Sequence, residues 1–176
     1  MPVSVPFLTA RAAGSRITGA TYQQDVTDAA TFLTNRPLFK GYQSAAQAIS
    51  SGSLTALLLD TEVIDSYNGH DLSVNTSRWT CPAGAAGYYS VLISVGLVAN
   101  AVGDRVIEIH KNGTVIQLGQ FNMIAPTAGV SAVWQAKTIV PLSVADYVEG
   151  KVYQTSGGSL NTVPTQTGMT VQWEHA

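Results

Sequence analysis

The chain has 176 residues and a mass of 18.5 kDa, the size of one domain with an added arm rather than of two full domains. Nine Lys and Arg against eleven Asp and Glu leave a net charge of −2, which gives no electrostatic footprint for nucleic acid or for an anionic membrane surface. The single cysteine, Cys81, excludes an intrachain disulfide framework.

Charged residues make up 11% of the chain, against about 25% in ordinary soluble domains. The polar share is mostly Ser, Thr, Asn, Gln and Gly. A lone monomer so sparsely charged is poorly protected against association. The composition therefore predicts a surface covered by copies of the same chain or by a larger assembly.

The first eight residues carry no basic residue ahead of Arg11 and no apolar region ending in a cleavage site, so no signal peptide is expected. Pro2 and Pro6 deny them a regular helix. They read as an extended arm, with Val3, Val5 and Phe7 alternating along it as candidate contacts to a partner surface. Residues 21 to 34 carry the helix signal. Thr21 and Gln24 fit a capping box, and Asp25 and Asp28 lie where the helix dipole favours negative charge. Tyr22, Val26, Ala29, Ala30 and Leu33 fall on one stripe at helical spacing, and Asn35-Arg36-Pro37 ends the element. So short a helix must dock on something, either its own domain or a neighbour. Residues 35 to 53 read as a connector with room for a short strand around Leu38 to Tyr42.

From Leu54 onward, short β-type runs alternate with turn signals. The runs are Leu54 to Ile64, Ser77 to Cys81, Tyr88 to Val98, Arg105 to Lys111, Thr114 to Phe121, Ser131 to Leu142, Tyr147 to Thr155 and Met169 to Glu174. Asn112-Gly113 between two of them is a strong hairpin signal, because a type I′ turn needs positive φ at both central positions. Val91 to Val102, the most apolar stretch, is broken by Ser94, Gly96 and Asn100 and falls short of the ~20 apolar residues of a membrane helix. Some eight strands without helical periodicity between them predict an all-β fold, an antiparallel jelly-roll β-sandwich. The predicted organisation is an N-terminal arm, helix and connector over 1–53 and a jelly-roll domain over 54–176, to which the resemblances given below add an anchoring role for the first and a trimerisation or head role for the second.

Catalytic chemistry finds no constellation. There is no Gly-x-Ser-x-Gly elbow, no His-Glu-x-x-His and no phosphate-cradling Gly-x-x-x-x-Gly-Lys. His70, His110 and His175 lack ligand-like spacing, and one cysteine cannot complete a structural zinc site. Asp60, Glu62, Asp65 and Asp71 carry oxygens that suit calcium, yet they follow no loop signature and read as solvated carboxylates at strand ends. No enzyme activity, cofactor or metal is expected. Trp79, Trp134 and Trp173 read as core or interface anchors, although a surface Trp or Tyr can also stack on a sugar.

Two resemblances follow from particular residues. Trp79 to Pro82, then Gly87 and Tyr89 with Val91 in place of a Phe, resemble the strand entry of the complement-C1q and tumour-necrosis-factor-like head. Asn112-Gly113 is similar to that family's hairpin. Leu142 to Val148 is similar to its Leu-x-x-Gly-Asp-x-Val step, with Ala145 replacing the glycine. The resemblance covers about residues 54 to 176 and implies a homotrimeric jelly roll with Trp79, Tyr89, Val91, Trp134, Tyr147 and Trp173 in the fold or trimer core. The whole chain also resembles small virion proteins of tailed phages, especially those of actinobacteria, through Thr18, Tyr22, Val26, Asp28, Ala29, Phe32, Leu33 and Pro37 and, loosely, Asp65 to His70. That likeness implies a virion protein made in the cytoplasm of a bacterial host. Val3, Val5, Phe7, Tyr22, Val26, Phe32 and Leu33 would then anchor it to a major capsid protein or another virion protein. A capsid decoration (cement) role is expected first. The alternative is a tail-fibre or tail-tip component that binds a host surface glycan or receptor.

Overall fold

A computed structural model describes residues 3–6, 12–126 and 129–176. The chain opens with a helical segment in three parts: an α-helical turn Gly19–Tyr22 (α1), a π-helical stretch Gln23–Thr27 and an α-helix Asp28–Thr34 (α2). The N-cap is Thr18, whose Oγ1 accepts from the Thr21 backbone N–H at 3.2 Å. This corrects the capping box expected at Thr21. Both positions are threonines three residues apart, and the earlier one is the one with extended backbone.

Among the described residues twelve strands follow: β1 (Leu38–Tyr42), β2 (Ala48–Ile49), β3 (Thr55–Ala56), β4 (Thr61–Asp65), β5 (Arg78–Thr80), β6 (Gly87–Leu97), β7 (Asp104–Lys111), β8 (Thr114–Ile124), β9 (Ala132–Leu142), β10 (Tyr147–Gln154), β11 (Leu160–Asn161) and β12 (Gly168–His175). They form two main sheets. The first has the order β4-β1-β12-β6-β9. The second runs β3-β10-β7-β8, with β5 also paired to β10. The short β2 and β11 pair with each other. All pairings are antiparallel. The architecture is an all-β jelly-roll sandwich preceded by one helical segment.

The sandwich begins at Leu38 and not at residue 54. The expected connector supplies β1, which lies between β4 and β12 with Phe39 opposite Val171. Alternation on β1 spans only five residues, too few to outweigh the Ser- and Gly-rich segment that follows it. The core lies between the sheets. From the first sheet come Phe39, Tyr89, Val91, Ile93, Val95, Trp134, Val140, Val171 and Trp173; from the second come Trp79, Ile107, Ile109, Val148 and Val152. Their spacing of two along each strand puts them on one face of the pleat. Gly150 permits the close approach of the sheets, since a Cβ there would sit 2.8 Å from Ile93 Cγ2.

Two turns are stitched together at one end. Asn112 and Gly113 have φ of 50° and 83°, the geometry that the Asn-Gly pair predicts. Asn112 Nδ2 donates to Asp146 Oδ1 at 2.7 Å, and the Tyr147 N–H donates to Asn112 Oδ1 at 2.9 Å. Lys111 Nζ lies 2.8 Å from Asp146 Oδ2. The β7–β8 turn is thereby tied to the β9–β10 turn.

Candidate functional site

The titratable groups serve the fold. His70 is buried, with Nδ1 2.8 Å from Glu62 Oε1 and Nε2 3.0 Å from the Thr76 carbonyl oxygen. Asp65 accepts from the His70 backbone N–H at 2.7 Å. Asp60 accepts from the N–H groups of Ser44 and Ala45, which outweighs its desolvation and holds its carboxyl below the usual range. Asp71 accepts from Ser73 and Val74. Each of the four acidic residues considered for calcium therefore spends oxygens on a local loop or strand. Among the described residues no three His, Cys, Asp or Glu side chains converge as a metal would require.

His110 sits between Gly113 O at 2.9 Å and Glu108 Oε2 at 2.7 Å, while His175 is exposed and stacks on Tyr88. Burial pushes the Cys81 thiol and the Tyr89 phenol upward, which keeps both protonated and removes the thiolate a nucleophile needs. Arg105 is 1% exposed and, among the described residues, forms no ion pair at contact distance, the Asp104 charge acting on it only from farther away. Its guanidinium donates instead to the carbonyls of Asn100, Val102 and Asp104 and fastens that loop.

Uncovered apolar side chains are spread over the described surface, Val63, Leu72 and Val74 among them, and two groups bear on assembly. The first is the flank formed by β8 and β9, the edge strands of the two sheets, which lie side by side. Val115, Leu118, Phe121, Ile124, Val130, Val133 and Ile139 are all exposed here. Val115 and Phe121 are paired with His110 and Ile107 and so share their inward side. They stay exposed because the first sheet ends at β9 and leaves them without a cover. Residues 114 to 136 contain no charged side chain. Val133 and Ile139 alternate with buried Trp134 and Val140 and so lie on the outer face of β9, where Lys137 is also exposed; the flank thus offers apolar side chains from two faces and is a candidate interaction site.

The second place is the helical segment. Phe32 is buried and packs edge-on against Trp173, with ring centroids 4.8 Å apart. Tyr22, Val26 and Leu33 are exposed. Beside Leu33 a groove of ≈ 300 Å³ is lined by Asn35, Pro37, Leu38, Ile64 and Gln172. The arm folds back onto the domain: Val5 N–H donates to Gly84 O at 2.7 Å, Tyr67 Oη donates to Val3 O at 2.8 Å, and both valines pack on the core.

The residues expected to anchor the chain thus divide. Val3, Val5 and Phe32 are taken up by their own domain, because each finds an apolar partner there. Tyr22, Val26 and Leu33 remain available to a partner. Phe7 lies outside the described residues. Of the expected core residues, Trp79, Tyr89, Val91, Trp134 and Trp173 are buried. Tyr147 is half-buried under the Arg78 guanidinium, 4.0 Å from its ring centroid. Sequence reading missed the β8 contribution to the flank. Its signal was present as a long charge-free run containing Val115, Ile116, Leu118, Phe121 and Ile124.

The strand order decides the comparison with known structures. The globular domain of zebrafish complement 1qA protein superposes with a TM-score of 0.54 at 12% identity, covering 80% of this chain and 100% of that one. Murine APRIL superposes with a TM-score of 0.54 at 10% identity in a structure at pH 8.0 (78% of this chain, 98% of that one) and at 13% in one at pH 8.5 (77% and 98%). The fold is a C1q/TNF-like jelly roll. No protein-family model matches the chain, and no curated protein matches it. Likeness at such low identity concerns the fold alone. Within the C1q/TNF-like sandwich, the flank and the exposed stripe of the helical segment are this chain's own candidate contact surfaces.

Proposed function

We propose that the chain is a non-enzymatic structural protein that acts as a homotrimer and decorates the capsid of a tailed phage, stabilising the shell as a cement protein. The observation that supports this reading is uncovered apolar side chains on the β8–β9 flank and along the Tyr22–Val26–Leu33 stripe. One suits sister copies and the other suits the shell. A charged fraction of 11% fits a protein whose surface is largely covered in use. A trimer that binds only assembled shell stabilises it by mass action, in proportion to occupancy.

Labelling of particles with an antibody against the β-domain tests the location, and heating of particles with and without the protein tests the cementing. Label on the head, with release of the genome at lower temperature when the protein is missing, is the expected result. Label confined to the tail together with binding to host cell-wall glycan overturns the decoration role in favour of receptor binding.

A further inference from the structure

We propose that Asn68 is a site of spontaneous covalent modification, at which the main-chain nitrogen of Gly69 displaces ammonia from the side-chain amide and water opens the resulting imide to isoaspartate or aspartate. The fold bars the same step at Asn112. This reactivity is independent of assembly and of any shell.

The sequence holds two Asn-Gly steps, Asn68-Gly69 and Asn112-Gly113. Both asparagines are exposed, and both have left-handed backbone, with φ of 53° and 50°, a conformation that asparagine tolerates. Access to water and backbone shape therefore treat them alike. Hydrogen bonding does not. Asn112 is tied at three atoms: its N–H donates to Tyr147 O at 3.0 Å, its Nδ2 donates to Asp146 Oδ1 at 2.7 Å, and its Oδ1 accepts from the Tyr147 N–H at 2.9 Å. Among the described residues, no group bonds the Asn68 side chain, the Asn68 carbonyl or the Gly69 N–H. These atoms are left to water, and no hydrogen bond fixes the plane of the peptide between the two residues.

Ring closure needs that freedom. The Gly69 nitrogen gives up its proton to hydroxide and attacks Asn68 Cγ. The new N–C bond closes a cyclic imide as the Cγ–Nδ2 bond breaks, and ammonia leaves with a proton taken from solvent. Glycine at the attacking position has no side chain to obstruct the approach. Hydrolysis then adds one water across either imide C–N bond. Breaking the bond to Cγ gives aspartate. Breaking the bond to the Asn68 main-chain carbonyl carbon gives isoaspartate, in which the chain runs through Cβ and Cγ and is one carbon longer. Gly69 has no room to absorb that carbon. Its carbonyl accepts from the Thr80 N–H at 2.7 Å, a Cβ on it would overlap the Trp79 indole, and His70 beyond it donates its N–H to Asp65 Oδ2 at 2.7 Å. The isoaspartate form therefore strains the turn that holds the buried His70 ring. At Asn112, ring closure waits on a local opening of the stitched turns.

The test holds the full chain in mildly alkaline buffer, then digests it and maps the peptides by mass. Exchange of NH2 for OH should accumulate at Asn68 at least about tenfold faster than at Asn112, because two side-chain hydrogen bonds must break first at the latter. In guanidinium chloride, where those bonds are gone, the two steps should react at comparable rates. Equal rates in the folded protein overturn the assignment. So does a difference that persists in denaturant, since flanking residues and not the fold would then select the site. Asn68→Gly accepts the left-handed backbone and should show no mass gain at that position, whereas a gain undiminished in its peptide places the reaction elsewhere. The isoaspartate form, recognised by enzymatic methylation of its free carboxylate, should melt below Asn68→Asp, which carries the same charge on a main chain of normal length. Coincident melts overturn the strain.

Discussion

Asp146 shows how much one turn residue carries. Bonds from Lys111, from Asn112 and from the Ser143 backbone N–H lower its carboxyl pKa to about 2. A carboxyl depressed on folding contributes stability that is complete above its unfolded value, near 3.9. That contribution is lost as pH falls through about 2. Asp146→Asn should therefore lower Tm at pH 7 by about 2–6 °C, and the gap to wild type should close between pH 4 and pH 2 in a series of melts. Its neighbour Ala145 has φ of 69°, although it replaces a glycine in the sequence step that suggested the fold. Its N–H donates to Cys81 O at 2.9 Å, so the turn keeps its shape at a cost to the alanine. Ala145→Gly removes that cost but widens the unfolded ensemble, and the balance is a gain of about 0.5–1 kcal/mol in urea unfolding. The turn was legible in the sequence, since Asp-Tyr-Val follows it in register. The strain was not, because it depends on the bond from Ala145 to Cys81, which lies far back along the chain.

At the scale of elements, long strands announced themselves and short ones did not. β6, β7, β9, β10 and β12 lie within a residue or two of the runs of alternating apolar residues that predicted them. β2, β3 and β11 are two residues each, and no periodicity can show in so short a span. The helical segment was legible as a helix, but its buried side was not. The stripe that pattern analysis selects faces outward, and Phe32, off that stripe, is the residue that docks. The π-helical stretch changes the angular count between the two ends, which a search at 3.6 residues per turn cannot detect. Phe32→Ala should cost about 3–5 kcal/mol in chemical denaturation, because it empties the space beside Trp173. Substituting serine for Tyr22, Val26 and Leu33 should change stability by no more than about 0.5 kcal/mol per site. Under the decoration reading proposed above, the triple variant should nevertheless fail to enter particles in a co-sedimentation assay. Unchanged incorporation would remove the stripe from the anchoring surface.

For the whole molecule, low charge gains a location. The neutral run 114–136 supplies the β8–β9 flank and a cluster of exposed apolar side chains, and composition alone carries no such spatial information. Light scattering at micromolar concentration should give three times the chain mass. A monomer would detach the composition argument from assembly. The π-helical stretch between α1 and α2 bears on how such a trimer would hang on a lattice. Phe32 clamps one end of the segment to the sandwich, whereas Tyr22 lies beyond the irregular turn. Winding these five residues as regular α-helix without removing any would turn Tyr22 through roughly 90° about the axis, because a π-turn advances each residue by about 80° and an α-turn by about 100°. Every side chain along the segment would stay the same. On the decoration reading proposed above, the azimuth at which a shell would be met is thus written in backbone spacing, and two chains with identical contact residues could present themselves in different orientations.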